Sequence, residues 1–255
     1  MSRIGFWAVL GTAALVIVGG LLAFVWIPHT KRDPNESLFG AWCSAWGVPR
    51  AWLTTALVTP GPTSEVVLDH RLLSTPTASD VGHGATLALR CTMCHGPTGI
   101  SEANSPNLAG QYAAVVYKQL RDYKSGIRPS AIMTAMAAKL SDTDMQQLAA
   151  YYASLPRPSS AHLPDDAPAI VKWGAPMRNI APCGSCHGEV DHTMASPWLG
   201  GEPESYIRAE LLAFAAGERT NDINAQMRAM AHALTPSEID QAAAYYAGGS
   251  AGGSR

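Results

Sequence analysis

Cys91-Thr92-Met93-Cys94-His95 and Cys183-Gly184-Ser185-Cys186-His187 each put two thiols and an imidazole within five residues. Thiols three apart on one helical turn lie on the same face, and the next residue is carried with them. That spacing suits two thioether bonds to one porphyrin with the imidazole beneath its iron, the attachment signature of haem c. A redox dithiol or half of a zinc site also uses Cys-x-x-Cys, but neither calls for the His and neither accounts for two copies. The expectation is two covalent haem c groups, one on Cys91 and Cys94 with His95, the other on Cys183 and Cys186 with His187. The fifth cysteine, Cys43, stands alone, so an even disulfide framework is not expected.

The two motifs sit in a duplication. They are offset by 92 residues, and Pro106-Asn107-Leu108-Ala109-Gly110 recurs as Pro197-Trp198-Leu199-Gly200-Gly201 at an offset of 91. Leu120, Tyr123, Gly126 and Arg128 recur as Leu211, Phe214, Gly217 and Arg219, again 91 apart. Met133, Met136, Leu140 and Tyr151-Tyr152 recur as Met227, Met230, Leu234 and Tyr245-Tyr246 at 94. Feature order is kept throughout.

The elements that must position these residues read as helices. Val115, Val116, Leu120 and Tyr123 share one face of a helix over Tyr112–Lys124, with Gly126 placed to stop it. Ser141 caps a second helix striped by Met145, Leu148, Ala149 and Tyr152, with Asp144 completing a weak capping arrangement. Thr235-Pro236-Ser237-Glu238 repeats that start with a better box. No alternating strand pattern appears. A repeat of roughly 80 residues is marginal on its own core, and a buried macrocycle would supply the missing apolar mass. The expected division is 80–157 for the first repeat, 158–168 for a Pro-rich linker and 169–250 for the second.

An electron-transfer iron of this type takes a sixth ligand, and His–Met ligation raises its potential. Met133 and Met136 compete for that role in the first repeat, Met227 and Met230 in the second. His192 follows the second motif closely and is a rival to the methionines. His29, His70, His83, His162 and His232 have no partner pattern.

The N-terminus is a different kind of sequence. Ile4–Ile27 runs without a charge, long enough at ~1.5 Å per residue for a ~30 Å hydrocarbon core, with Trp7 and Trp26 near its ends. A cleaved signal would have a shorter apolar core, ~7–15 residues, and small residues at the cut. Here Pro28-His29-Thr30-Lys31-Arg32 follows, so residues 1–30 are expected to form a transmembrane anchor. Lys31 and Arg32 pull against an outer-face placement under the positive-inside tendency. Leu38–Val58 is long enough for a second crossing, but Arg50 and Gly47-Val48-Pro49 interrupt it. Trp42, Trp46 and Trp52 fit an interfacial or docking stretch better. Residues 31–79 are therefore expected to be an interfacial segment and linker.

Composition adds little. The formal charge of −2 signals no nucleic-acid partner. The repeats differ, however: 80–157 holds seven Lys/Arg against five Asp/Glu, and 158–255 holds six against eleven. Such asymmetry can orient a protein toward a charged partner.

Residues 80–247 resemble a dihaem class I cytochrome c of the cytochrome c4 type. The resemblance is carried by Cys-x-x-Cys-His-Gly at 91–96 and 183–188, Pro-x-Leu-Ala-Gly-Gln at 106–111 and Lys-Gln-Leu-Arg-Asp-Tyr at 118–123. Gly-x-Arg-Thr-Asn-Asp at 217–222 and Met-x-x-Met-Ala-x-x-Leu-Ser/Thr at 133–141 and 227–235 complete it. It departs at 200–202, where Gly-Gly-Glu replaces Ala-Gly-Gln, and the soluble members lack residues 1–79. The resemblance implies an all-α fold: a transmembrane helix added before two tandem class I cytochrome c domains. It points to Met133 and Met227 as axial ligands, and to the Pro106 and Pro197 carbonyls as acceptors for the proximal His95 and His187. It also implies a carrier of single electrons from a quinol-oxidising complex or periplasmic dehydrogenase to a terminal oxidase. The partners would be redox proteins of the membrane or periplasm, and the haem domains would lie on the periplasmic side of a bacterial inner membrane. A fixed subunit of an oxidase or dehydrogenase complex is the alternative. A dihaem peroxidase fits less well, because both repeats keep their methionines.

Overall fold

The computed structural model describes residues 18–22, 63–68, 75–158, 167–187 and 196–248. The described residues hold helices and no strand; Ala175 and Ile180 form an isolated antiparallel bridge. In the first repeat the helices are α1 (Ala78–Ala88), α2 (Thr92–His95), α3 (Ala113–Ser125), α4 (Ala131–Ala138) and α5 (Asp142–Ser154). In the second they are α6 (Ala169–Lys172), α7 (Gly184–His187), α8 (Glu204–Ala216), α9 (Gln226–Ala233) and α10 (Pro236–Tyr246). Each helix has its counterpart in the same order. The packing is duplicated too: α3 meets α4 and α5, as α8 meets α9 and α10, and α1 and α6 lie against α5 and α10.

Local chemistry accounts for the ends. The expected helix over Tyr112–Lys124 forms one residue later, because Tyr112 stays extended as its N-cap. Gly126 at φ 81° closes it, and Gly217 at φ 73° closes α8. A left-handed residue at that point is what glycine tolerates and a side chain resists. The weak cap expected at Ser141 is a full capping box. Ser141 Oγ accepts from Asp144 N at 3.1 Å while the Asp144 carboxylate accepts from Ser141 N at 2.8 Å. Thr235 and Glu238 make the equivalent box on α10, and Arg178 holds the Glu238 carboxylate with its two terminal guanidinium nitrogens, Nη1 and Nη2.

Each repeat has its own core. Val116, Tyr117, Leu140, Met145, Leu148 and Tyr152 make the first, with Ala88 from α1. Ile170, Val171, Ile180, Ile207, Ala242, Ala243 and Tyr246 make the second. The crossing of α1 over α5 depends on Gly84, where a Cβ would stand 2.1 Å from the Gln147 carbonyl oxygen and 2.7 Å from Tyr151 Cβ.

Part of the expected 31–79 linker packs onto the first repeat: Ser64 donates to the buried Asp122 at 2.7 Å and Val66 lies on the first core. Both repeats fall within one compact unit, Val58–Arg255. No described helix is long and apolar enough to cross a membrane. The expected anchor, apart from residues 18–22, and the Leu38–Val58 stretch lie outside the described residues.

Gly84→Ala is expected to lower the stability of the protein by about 1–3 kcal/mol, because the crossing backbone must move. Gly82→Ala, with open space around its Cβ, should leave the midpoint unchanged or slightly raised. Guanidinium unfolding of the two variants side by side reads the difference.

Candidate functional site

The two cysteine-histidine motifs fold into the same turn. Cys94 N and His95 N donate to the Cys91 carbonyl at 3.2 and 3.0 Å; Cys186 N and His187 N donate to that of Cys183 at 3.2 and 2.9 Å. Gly96 follows at φ 75°, and a Cβ there would stand 1.8 Å from the Ile100 carbonyl oxygen. The chain thus turns sharply away from His95.

Both histidines are tied by one ring nitrogen. His95 Nδ1 lies 2.8 Å from the Pro106 carbonyl oxygen and His187 Nδ1 lies 2.9 Å from that of Pro197. A carbonyl only accepts, so Nδ1 carries the proton in each ring and Nε2 keeps a lone pair. Burial pushes both imidazoles below the ordinary histidine range, and the carbonyl bonds oppose it only in part. Each is therefore a neutral imidazole with Nε2 ready to bind a metal.

The thiols are not built for exchange. None of the four is in a disulfide. Burial raises the Cys91 thiol and pushes that of Cys183 up to about 11. A dithiol catalyst needs the opposite shift. Nor do the described residues hold a cluster of three or more His, Cys, Asp or Glu suited to a metal ion.

The hydroxyls of Tyr152 on α5 and Tyr246 on α10 are buried and have no hydrogen-bond partner among the described residues. Burial, and then the neighbouring Cys91 or Cys183, raises each phenol. An unpartnered buried hydroxyl costs roughly 1–3 kcal/mol, and here it occurs twice at matched places beside Cys91 and Cys183. That pattern fits pockets whose remaining wall is a bound group, and the thiol, imidazole and phenol set fits haem c.

The structure ties each His to its Pro and leaves the methionines on other helices. Met133 and Met136 stand on α4, both half-buried. On α9, Met230 packs against the second core, whereas Met227 is not part of that cluster. His192 lies outside the described residues. His83 sits 3.3 Å from Gln147 on the surface, and His232 is also exposed.

The repeats meet through the same segments that hold the histidines. Trp198 N donates to Gln111 Oε1 at 2.9 Å, and Asn107 N donates to Glu202 Oε2 at 2.8 Å. Gln111 and Glu202 are equivalent positions 91 apart, as are Asn107 and Trp198, so each repeat clasps the other's Pro-x-Leu segment. Below them, Gln119 and Glu210, also 91 apart, lie between Arg128 and Arg219. Glu210 pairs with Arg128 at 2.5 Å and Arg219 at 2.7 Å. Burial would raise the Glu210 carboxyl, but the two guanidiniums outweigh it and hold it low. Lys118 bridges the buried Asp122 and the Asn221 carbonyl at 2.7 and 2.6 Å. Arg157, at the end of the first repeat, stacks on the Tyr112 and Trp198 rings, 4.8 and 4.7 Å from their centres.

None of these interface residues emerged as a site from the sequence. The signal was present in the two aligned motifs: Gln and Glu alternate at one repeated position, beside a segment already tied to the histidines.

The Cytochrome c family profile matches residues 81–156. The chain is 36% identical over 170 residues to the thiosulfate dehydrogenase electron acceptor of Stutzerimonas stutzeri, covering 63% of this chain and 79% of that one. It is 36% identical over 166 residues to cytochrome c4 of Thiocapsa roseopersicina, covering 62% and 86%. Reduced cytochrome c4 from Pseudomonas stutzeri superposes with a TM-score of 0.61 at 30% identity, over 66% of this chain and 97% of that one. The chain belongs to the cytochrome c4 family, and it is a haem c protein that transfers electrons between redox partners.

Glu210→Ala leaves Arg128 and Arg219 facing each other without their shared counter-charge. The expected loss is about 2–4 kcal/mol, as for a broken part-buried ion pair. Chemical unfolding of the haem-loaded protein measures it, and a loss below 0.5 kcal/mol would show the cluster to be ornamental.

Proposed function

We propose that this chain is a membrane-anchored dihaem cytochrome that passes single electrons along two haems on the outer face of a bacterial inner membrane. The observation that carries the reading is the duplicated turn itself: two thiols, then an imidazole whose Nδ1 proton is committed to a Pro carbonyl. Cys91 and Cys94 would hold the first haem and Cys183 and Cys186 the second. His95 and His187 would be proximal ligands, with Met133 and Met227 distal. The packing of Met230 into the second core supports Met227 as the free sulfur there. Haem iron supplies reversible one-electron exchange when bound. The chain's own part is to fix the ring by the Pro106 and Pro197 bonds, to exclude water with the Tyr152 and Tyr246 walls and to hold the two sites in one compact unit.

The donor is a quinol-oxidising complex or a periplasmic dehydrogenase, and the acceptor a terminal oxidase. The relative described as a thiosulfate dehydrogenase electron acceptor favours a dehydrogenase as donor. Thioether attachment and the uncharged run Ile4–Ile27 together favour periplasmic haem domains held at the membrane.

Met133→His and Met227→His variants test the ligands. Each should abolish the Met–iron charge-transfer band of one haem only and lower that haem's potential by about 100 mV or more, within the ~0.8 V that axial ligands span. A variant with an unchanged spectrum refutes its assignment. Membrane association is tested by extraction. The full chain should stay with membranes through high salt and leave them in detergent, and a chain released by salt alone has no anchor.

A further inference from the structure

Pro106 O and Asn107 N belong to one peptide group. Its oxygen accepts from His95 Nδ1 at 2.8 Å, while its N–H donates to Glu202 Oε2 at 2.8 Å from the opposite repeat. The Pro197–Trp198 peptide is held the same way, between His187 Nδ1 and Gln111 Oε1. The two relays thus differ in one respect: a carboxyl ends the first and a carboxamide ends the second.

The difference has a geometric consequence. Gln111 uses both ends of its amide, accepting from Trp198 N and donating Nε2 to the Trp198 carbonyl at 2.9 Å. A carboxylate in the mirrored position has no donor for the Asn107 carbonyl, whereas a carboxylic acid has one. Glu202 is 5% exposed, and burial pushes its carboxyl up to about 8 against the pull of the Asn107 amide. The titratable and charged groups on the segments around it are His95, Tyr112 and Arg157 of the first repeat, and Glu204 and Tyr206 of its own. Arg157 is engaged elsewhere, with Nε on the Gly110 carbonyl at 2.8 Å and its guanidinium on two rings.

We propose that Glu202 is a redox-linked proton site that tunes the first haem and leaves the second alone. Protonated, it imitates Gln111. Ionised, it draws on the Asn107 N–H, polarises the shared peptide and makes the Pro106 carbonyl a stronger acceptor from His95. The proximal imidazole then gives more charge to the iron, favours its oxidised form and lowers its potential. The added negative charge acts in the same direction. By linkage, an electron delivered by the donor to the first haem draws up to one proton from solvent onto the Glu202 carboxylate. Glu202 is a positioning residue, acting through Asn107 and Pro106. The inference rests on the two-haem reading above.

The test is spectroelectrochemical titration of both haems between pH 5.5 and 9.5 in the full haem-loaded chain. The two waves are assigned with the Met133→His and Met227→His variants. In the wild type the first haem's potential should fall as pH rises, by at least a tenfold change in its redox equilibrium (59 mV for one electron). The second should be flat by comparison. Glu202→Gln should hold the first haem at its low-pH value throughout. Gln111→Glu should move the pH dependence to the second haem. Redox-difference infrared spectra should show a protonated-carboxyl stretch that Glu202→Gln removes. An unchanged slope in Glu202→Gln with both haems bound overturns the role of Glu202 alone. Fewer than two haems per chain, counted as pyridine haemochrome, overturns the underlying reading first.

Discussion

A neutral imidazole keeps one ring proton, and an acceptor must decide which nitrogen carries it; here a backbone carbonyl accepts that N–H in both repeats. The Pro106 and Pro197 bonds choose the tautomer, aim Nε2 and set each ring's tilt. Much of the rest follows from holding those two carbonyls still. Proline has no N–H to offer a competing partner, and its ring stiffens the segment on one side. On the other side the peptide N–H is pinned by the opposite repeat. Neither histidine is therefore positioned by its own repeat alone. This is why the two repeats form one compact unit despite having separate cores.

Parts of this arrangement were legible in the chain and parts were not, for a physical reason. The helix around Val115–Tyr123, the caps at Ser141 and Thr235 and the stop at Gly126 are local: each depends on residues within four or five positions. The two Cys-x-x-Cys-His turns are local as well. The family resemblance directed attention to Pro106 and Pro197, where the structure places the histidine bonds. The clasp between Gln111 and Trp198, or Glu202 and Asn107, joins residues some ninety positions apart. No periodicity records such a pairing, so Gly-Gly-Glu at 200–202 read only as a departure from Ala-Gly-Gln. The unpartnered Tyr152 and Tyr246 hydroxyls were hidden for another reason. As part of a helical stripe each tyrosine looks like ordinary core, and only burial without a partner marks it.

The lower half of the interface works by a different balance. Arg128 and Arg219 stack on Tyr123 and Phe214, 4.7 and 4.4 Å from their ring centres, so each guanidinium is flanked by an aromatic face of its own repeat. Their shared pairing with Glu210 then spans the junction. Burying two like charges side by side is unfavourable unless an anion lies between them. The Gln119 carbonyl adds a neutral acceptor at the same place. Specific directional contacts of this kind leave the interface little freedom to slip, since a shift that breaks one strands a charge.

The near-twofold exchange at the junction resembles the contact of two identical subunits, in which every residue that touches its partner is touched in return. In such a pair any substitution at the seam appears twice, so the two halves stay electronically alike. Residues 155–158, with Arg157 wedged between Tyr112 and Trp198, run out of the first repeat into the covalent connection that removes this constraint. A tandem chain can place glutamine on one side and glutamate on the other at the same seam position. Covalent fusion thereby allows a symmetric scaffold to carry a built-in direction.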